Sequence, residues 1–325
     1  MKNLLVLCGD NRMVNEKPLV TMRYPDGKII AEKVIEGIFP ETYDRVLFAI
    51  PASAEETYGV GSEIMKSLGT RYPIEIVALH EQTNNPAETA YRTIQMADVD
   101  GEIAIRDSNN YILLERAWSG NFIAGLNLMH YERPIDGLCS KSFILINEQH
   151  QVLDIVEKHL RSDVVSCGLY GFKNVNSFVM AYEKLEASHG SIKKLYISHI
   201  ISYLIGYSKD IFYSARVLDF EDWKTPYAWS FLQRRHSICF INLSMLGGKG
   251  DSPDEEVIKI MRKMSQTGNV LVGYLREECD QSEILRYMEA QGVKMLSIVT
   301  GCGYSNACRV IDKKTELKRV AVEEC

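Results

Sequence analysis

The sequence predicts an α/β protein in two parts, and three observations carry that reading. Apolar runs of strand length alternate with helically spaced segments through the first hundred residues. The rhythm changes near Ser142, breaks at Pro226, and resumes as a fresh alternation after a junction at Gln233-Arg-Arg-His236. The composition, 46% hydrophobic and 25% charged over 325 residues, is that of a globular chain long enough for two cores.

Taken in order, Asn3 to Cys8 reads as a buried strand and Gly9 to Pro18 as the loop after it. Ile30 to Ile38 has helical spacing, Arg45 to Pro51 is a second strand, Glu55 to Leu68 a helix and Pro73 to Leu79 a third strand. Asn85 is a natural N-cap for a helix over Pro86 to Met96, with proline in the first turn. A strand ending at Asp107 follows. Repeated β-α-β units predict a mostly parallel sheet with helices on both faces. Ser142 to Asn147 and Val152 to Lys158 flank a hairpin turn; Val164 to Phe172 is a strand. Val175 to Leu185 and Ile192 to Ile205 are helices, and Ile211 to Leu218 returns to β. The second part reads as strands at Ser237–Asn242, Asn269–Tyr274, Lys294–Val299 and Arg309–Asp312, with helices at Pro253–Gln266, capped by Ser252, and Gln281–Gln291.

Several classes fall away. The formal charge is −6 and no basic run stands out, which argues against nucleic acid as a partner. The N-terminal apolar run is too short for a signal peptide, and Leu195 to Tyr207 is too interrupted to span a bilayer, so a cytoplasmic protein without a membrane partner is expected. The eight cysteines form no CxxC pair, which argues against a zinc ribbon or a disulfide framework.

The segment Ile103-Ala-Ile-Arg-Asp-Ser-Asn-Asn-Tyr111 delivers Asp107 to a strand end, where open α/β sheets gather ligands. A carboxylate there, followed by the Asn109 amide, suits Mg²⁺ bound through few protein oxygens and the oxygens of a phosphorylated substrate. Alone, it reads more readily as an aspartate in an ordinary strand-end turn.

Other short segments, in order, make residues 1 to 230 resemble the sugar-phosphate nucleotidyltransferases. They are Leu7-Cys-Gly9, Arg12, Lys17-Pro18, Pro86-Ala-Glu-Thr89, Asp107, Glu157-Lys158, Gly168-Leu-Tyr170 and Asp222-Trp-Lys-Thr-Pro226. The resemblance implies a Rossmann-like mixed sheet of glycosyltransferase-A-like type, spanning residues 1–235. It implies transfer of a nucleoside monophosphate from a nucleoside triphosphate to a small phosphorylated acceptor, releasing pyrophosphate, in surface-polysaccharide precursor synthesis. Asp107 and Asp222 would share the Mg²⁺ cofactor, Arg12 and Lys17 would be the catalytic cations at the β- and γ-phosphates, and Lys158 would grip the acceptor phosphate. Gly9, Glu88, Thr89, Asn109, Gly168, Tyr170 and Thr225 would complete the substrate site. Two departures stand out: the first loop lacks a second glycine, and Lys224 replaces the glycine of the last motif. A nucleotide or sugar-nucleotide sensor without turnover is the alternative. A glycosyltransferase would need Asp-x-Asp, where Asn109 stands in the second place.

Residues 236–325 are similar to a small haloacid-dehalogenase-type phosphatase domain, through Ile238 to Leu246, Val270 to Arg276 and Val310 to Lys314. Such enzymes need an aspartate nucleophile and a second aspartate two residues on, where Ile241 and Leu243 stand. Hydrocarbon cannot attack phosphorus. The resemblance therefore implies an inactive domain used for packing, docking or homo-oligomerisation.

Overall fold

The computed structural model describes residues 1–9, 13–14, 17–22, 24, 28–131, 135, 137–188, 195–223, 238–247, 253–266, 269–301 and 310–323. The chain divides into two compact units, Met1–Met22 with Ile29–Ala228, and Arg23–Lys28 with Trp229–Cys325.

The first unit is built on a ten-stranded sheet. Its strands are β1 (Lys2–Leu7), β4 (Arg45–Pro51), β5 (Ile74–Leu79), β6 (Glu102–Asp107), β7 (Asn110–Leu114), β8 (Phe122–Asn127), β9 (Ser142–Ile146), β10 (Gln151–Glu157), β11 (Val164–Phe172) and β12 (Phe212–Asp222), with β2 (Met13–Val14) and β3 (Lys17–Pro18) a separate pair. The order is β5-β4-β1-β6-β11-β8-β12-β10-β9, with β7 on β12. Strands β5, β4, β1 and β6 run parallel, as do β8 and β12. Beyond β6 the sheet is mixed, because β11 runs antiparallel to both β6 and β8. The mostly parallel expectation thus holds for β5, β4, β1 and β6 and for the β8–β12 pair, while β7, β9, β10 and β11 pair antiparallel, as a mixed sheet does. Strands β7 and β8 are unforeseen in the sequence.

Helices pack on both faces. On one, α4 (Pro86–Met96), α5 (Val175–Ser188) and α6 (Ile197–Tyr203) bury Ala90, Phe178 and Ile200 against Leu5, Leu47 and Ile105. On the other, Gly61 of α3 (Val60–Leu68) lies against Ile50 and Ile76. The single helix expected over Glu55–Leu68 is two, α2 (Ala52–Tyr58) and α3, because Gly59 takes φ +62° between them. The first helix, α1, covers Ile30–Glu36. The Asn85 cap is as read: its Oδ1 accepts from the Glu88 N–H at 2.8 Å.

Two irregularities shape the cavity side of the sheet. β11 bulges between Ser166 and Tyr170, with Gly168 at φ +72°. β12 runs four residues past its expected end, and its pairing with β7 slips between Val217 and Asp219, leaving Leu218 the extra residue.

The second unit is a four-stranded parallel sheet ordered β15 (Met295–Thr300), β14 (Val270–Leu275), β13 (Ile238–Asn242), β16 (Val310–Ile311). Helices α7 (Glu255–Gln266), α8 (Gln281–Ala290) and α9 (Lys314–Glu323) accompany it, the last unforeseen. Ile241, Val257, Met261, Leu271, Met288 and Leu317 form its core. Asp254 caps α7, accepting from the Glu256 and Val257 N–H groups; Ser252, expected in that role, lies outside the described residues. No described helix is long and apolar enough to cross a membrane.

Candidate functional site

In the strand order β4-β1-β6, chain progression reverses at β1, and ligands of open α/β sheets bind outside the carboxyl ends of strands at such a point. There Leu7 pairs with Asp107, and a cavity of about 440 Å³ opens. Seven of the residues singled out in the sequence line it: Gly9, Thr89, Asp107, Asn109, Lys158, Gly168 and Tyr170. Glu88 is buried instead in support of the rim, and Asp222 stands behind the wall residue Lys141. Arg12 and Thr225 lie outside the described residues, as does the side chain of Lys17, whose backbone forms β3.

One end of the cavity is the 107–110 turn. Asp107 presses against the β11 bulge, where a Cβ on Gly168 would stand 2.5 Å from its Oδ2. Behind it lies Arg106, fully buried and absent from the sequence reading. Its guanidinium donates to the carbonyls of Val34 (3.3 Å), Cys167 and Gly168 (3.1 Å each) and Asn110 (2.6 Å). This one side chain ties α1, the bulge and the turn together. Burial lowers its pKa from 12.5 to about 10, with Asp107 acting the other way, so it stays cationic at neutral pH. An arginine in an otherwise apolar strand was the signal that could have found it. Ser108 Oγ donates to the Leu7 carbonyl at 2.7 Å and closes the turn on β1.

β12 reaches the same turn. Asp222 pairs with Asn110 in register, and the Trp223 N–H donates to Asn109 O at 2.9 Å. The Asp222 carboxylate accepts from Lys141 Nζ at 2.5 Å, with only 10% of the lysine side chain and 7% of the aspartate exposed. The ammonium also lies 4.9 Å from the centre of the Phe220 ring. Asn110 Oδ1, buried and on the cavity wall, has no hydrogen-bond partner among the described residues.

Further wall residues come from β9, β10 and the start of α6. Lys158, at φ +58°, donates from Nζ to Tyr196 Oη at 2.6 Å and lies 4.3 Å from the ring centre. The tyrosine hydrogen bond raises its pKa, so it is a fixed cation. Glu157 accepts from Ser142 Oγ and, at 2.7 Å, from Ser198 Oγ. Tyr170 Oη accepts from Ser166 Oγ at 3.1 Å, and burial followed by the Asp107 charge raises its pKa. Elsewhere on the wall, Thr89 and Thr83 share a 2.7 Å hydroxyl contact. Glu88 accepts from the Asn84 N–H at 2.7 Å and pairs with Arg92 at 2.8 Å, which braces the 83–85 rim.

One cavity is thus lined by the carboxylates of Asp107 and Glu157, the ammonium groups of Lys141 and Lys158, and the hydroxyls of Thr89, Ser142, Tyr196 and Ser198. That set suits a ligand that bears both charge and hydroxyls. The expected ion held between Asp107 and Asp222 does not fit these residues, since Lys141 already holds Asp222. Among the described residues no group of three or more His, Cys, Asp or Glu side chains is placed to hold a metal ion.

No family model matches the sequence, and neither does any curated protein. Solved structures do. A nucleoside-diphosphate-sugar pyrophosphorylase from Vibrio cholerae RC9 superposes with a TM-score of 0.58 at 17% identity, over 72% of this chain and 100% of that one. The inositol-1-phosphate CTP transferase from T. maritima gives 0.53 at 12%, over 73% and 96%. A UDP-glucose pyrophosphorylase complexed with UDP-glucose gives 0.54 at 12%, over 73% and 98%. At these identities the likeness is one of fold: the chain carries the mixed α/β fold found in nucleotidyltransferases.

Proposed function

We propose that the first unit is a nucleotidyltransferase, joining a nucleoside monophosphate from a nucleoside triphosphate to a small phosphorylated, hydroxylated acceptor and releasing pyrophosphate. What supports this is a single cavity, at the switch point of a nucleotidyltransferase-like sheet, lined by both Asp107 and Lys158. The acceptor phosphate binds Lys158, and its hydroxyls meet Ser142, Ser198 and Glu157. The triphosphate lies across Gly9 and the 83–89 rim, with Arg12 and Lys17 for its β- and γ-phosphates. Transfer is then direct displacement by the acceptor's phosphate oxygen, and the chain's work is to hold the two anions in line. Asp107 is the carboxylate that would meet a magnesium ion carried in on the triphosphate, where such an ion supplies charge neutralisation.

The second unit is proposed as an inactive phosphatase-like appendage. Ile241 and Leu243 are buried core residues there and supply neither nucleophile nor ligand. Self-association, and a place in surface-polysaccharide precursor synthesis, belong to the same proposal.

A pyrophosphate-release screen of four nucleoside triphosphates against sugar phosphates, polyol phosphates and phosphocholine tests the transferase. Release in one combination, lost in Asp107→Ala, is the expected result. Silence throughout, with triphosphate binding intact by calorimetry, would leave the sensor reading instead.

A further inference from the structure

The Lys141–Asp222 pair is an odd thing to find beside a cavity meant for anions and cations. Buried ion pairs lose hydration that their attraction barely offsets, and well-packed hydrocarbon replaces them at little cost. This one is nine-tenths buried on both sides and stands where the sequence places a metal ligand. Its surroundings tie it to the site: Asp222 pairs with Asn110 of the turn that follows Asp107, and Lys141 lines the cavity. The Lys141 backbone carbonyl also accepts the Lys158 N–H at 3.1 Å, which links it to the proposed acceptor cation.

We infer that Lys141 withdraws Asp222 from divalent-ion binding and supplies the fixed counter-charge that an ion would otherwise bring. A divalent ion at its usual ~2.1 Å from Asp222 Oδ2 could lie no farther than about 4.6 Å from Lys141 Nζ, given the 2.5 Å pair. At that range, in a wall shielded from water, the two cations repel strongly. The ammonium neutralises Asp222 without a metal, so the pair adds no net negative charge to the wall that a phosphate approaches. The free protein is thus a weak binder of divalent ions, and Asn110 Oδ1, unpartnered among the described residues, is an oxygen offered on the cavity wall. This inference leans on the phosphate-binding reading of the cavity for its purpose, but its geometry and its test stand without any transferase activity.

The test is Mn²⁺ binding to the full chain without nucleotide, followed by electron paramagnetic resonance of the free ion. Lys141→Met should tighten binding at least tenfold at one site, and Lys141→Met/Asp222→Asn should return it to the original level. Lys141→Arg, which keeps the charge, should behave as the unaltered protein. Should Lys141→Met fail to fold, Asp222→Asn alone decides: it should leave Mn²⁺ affinity within twofold. A tenfold loss in Asp222→Asn, or no gain in folded Lys141→Met, overturns the inference. Because no substrate is turned over, a negative result here is distinct from failure of the pyrophosphate screen.

Discussion

Gly168 and Asp107 are fitted to one another: a methyl group on the glycine would fall 2.5 Å from the carboxylate Oδ2 and 3.0 Å from its Cγ. The glycine also sits at φ +72°, where a side chain costs about 1–2 kcal/mol on its own. Gly168→Ala therefore displaces the carboxylate. We expect pyrophosphate release to fall by about a hundredfold, the order of loss that a misplacement of an ångström brings. Thermal melting should show the folded state retained but weakened.

Arg106 answers four carbonyls from three segments. Arg106→Met leaves those acceptors buried and unmet, at a cost of about 3 kcal/mol. Urea denaturation should report it as a lower midpoint with an unchanged slope. Arg106→Lys should recover only part, since an ammonium cannot span the same fork.

Lys158 gives a kinetic signature. A charge-assisted bond from it to the acceptor phosphate, as proposed, would be worth about 1.5–3 kcal/mol, or roughly 10- to 100-fold. Lys158→Ala should raise KM for the acceptor by that factor and leave KM for the triphosphate nearly unchanged. An equal rise in both would place the lysine elsewhere in the reaction.

Glu88 was expected to touch substrate, and its carboxylate instead braces the rim through Asn84 and Arg92. Glu88→Ala should lower stability by about 1–2 kcal/mol, and Glu88→Gln should lower it less because one rim contact persists. Loosened Asn84 and Asn85 should appear as faster backbone hydrogen exchange.

The cysteines separate by environment. Burial pushes the Cys8 and Cys167 thiols up from 9.0 to about 12, whereas Cys139 and Cys279 are exposed. At pH 8.5, iodoacetamide should label the exposed pair in minutes and spare the buried pair until the protein is unfolded, as read by peptide mass mapping. The sign for stability follows. Between pH 9 and 12 the unfolded chain holds fewer protons at these two sites, so their contribution is complete below pH 9 and fades toward pH 12.

The first four strands were legible because each is a buried apolar run ended by a turn residue, and α4 because Asn85 and Pro86 mark its start. β7 and β8 were not. Asn110–Leu114 and Phe122–Asn127 are strands through pairing with distant β12 and β11, which no local pattern announces. The second-unit strands were found, but α9 was missed, its apolar positions being few beside the charges.

Seven residues singled out in the sequence line the cavity, Gly9, Asp107, Asn109 and Lys158 at or just after strand ends, Thr89 in α4, and Gly168 and Tyr170 in the β11 bulge. Arg106, Asn110 and Lys141 escaped for a common reason. Each earns its place from a partner at least four residues away, and for Lys141 the partner is Asp222, on another strand altogether. Spacing carries chemistry within a motif, but it does not say which lysine meets which aspartate.

Leu218, the extra residue where β12 slips against β7, has a consequence for descent. Val217, Phe220 and Asp222 pair with Leu114, Ile112 and Asn110, and the bulge between Val217 and Asp219 absorbs the surplus position without changing those pairings. A lineage that lost the single codon for Leu218, itself 48% exposed, would close the bulge and keep Asp222 opposite Asn110. A second loss in the same stretch, with no bulge left to absorb it, would turn Glu221 inward and take Asp222 away from Lys141. Beyond that one spare position, length is what selection must guard there.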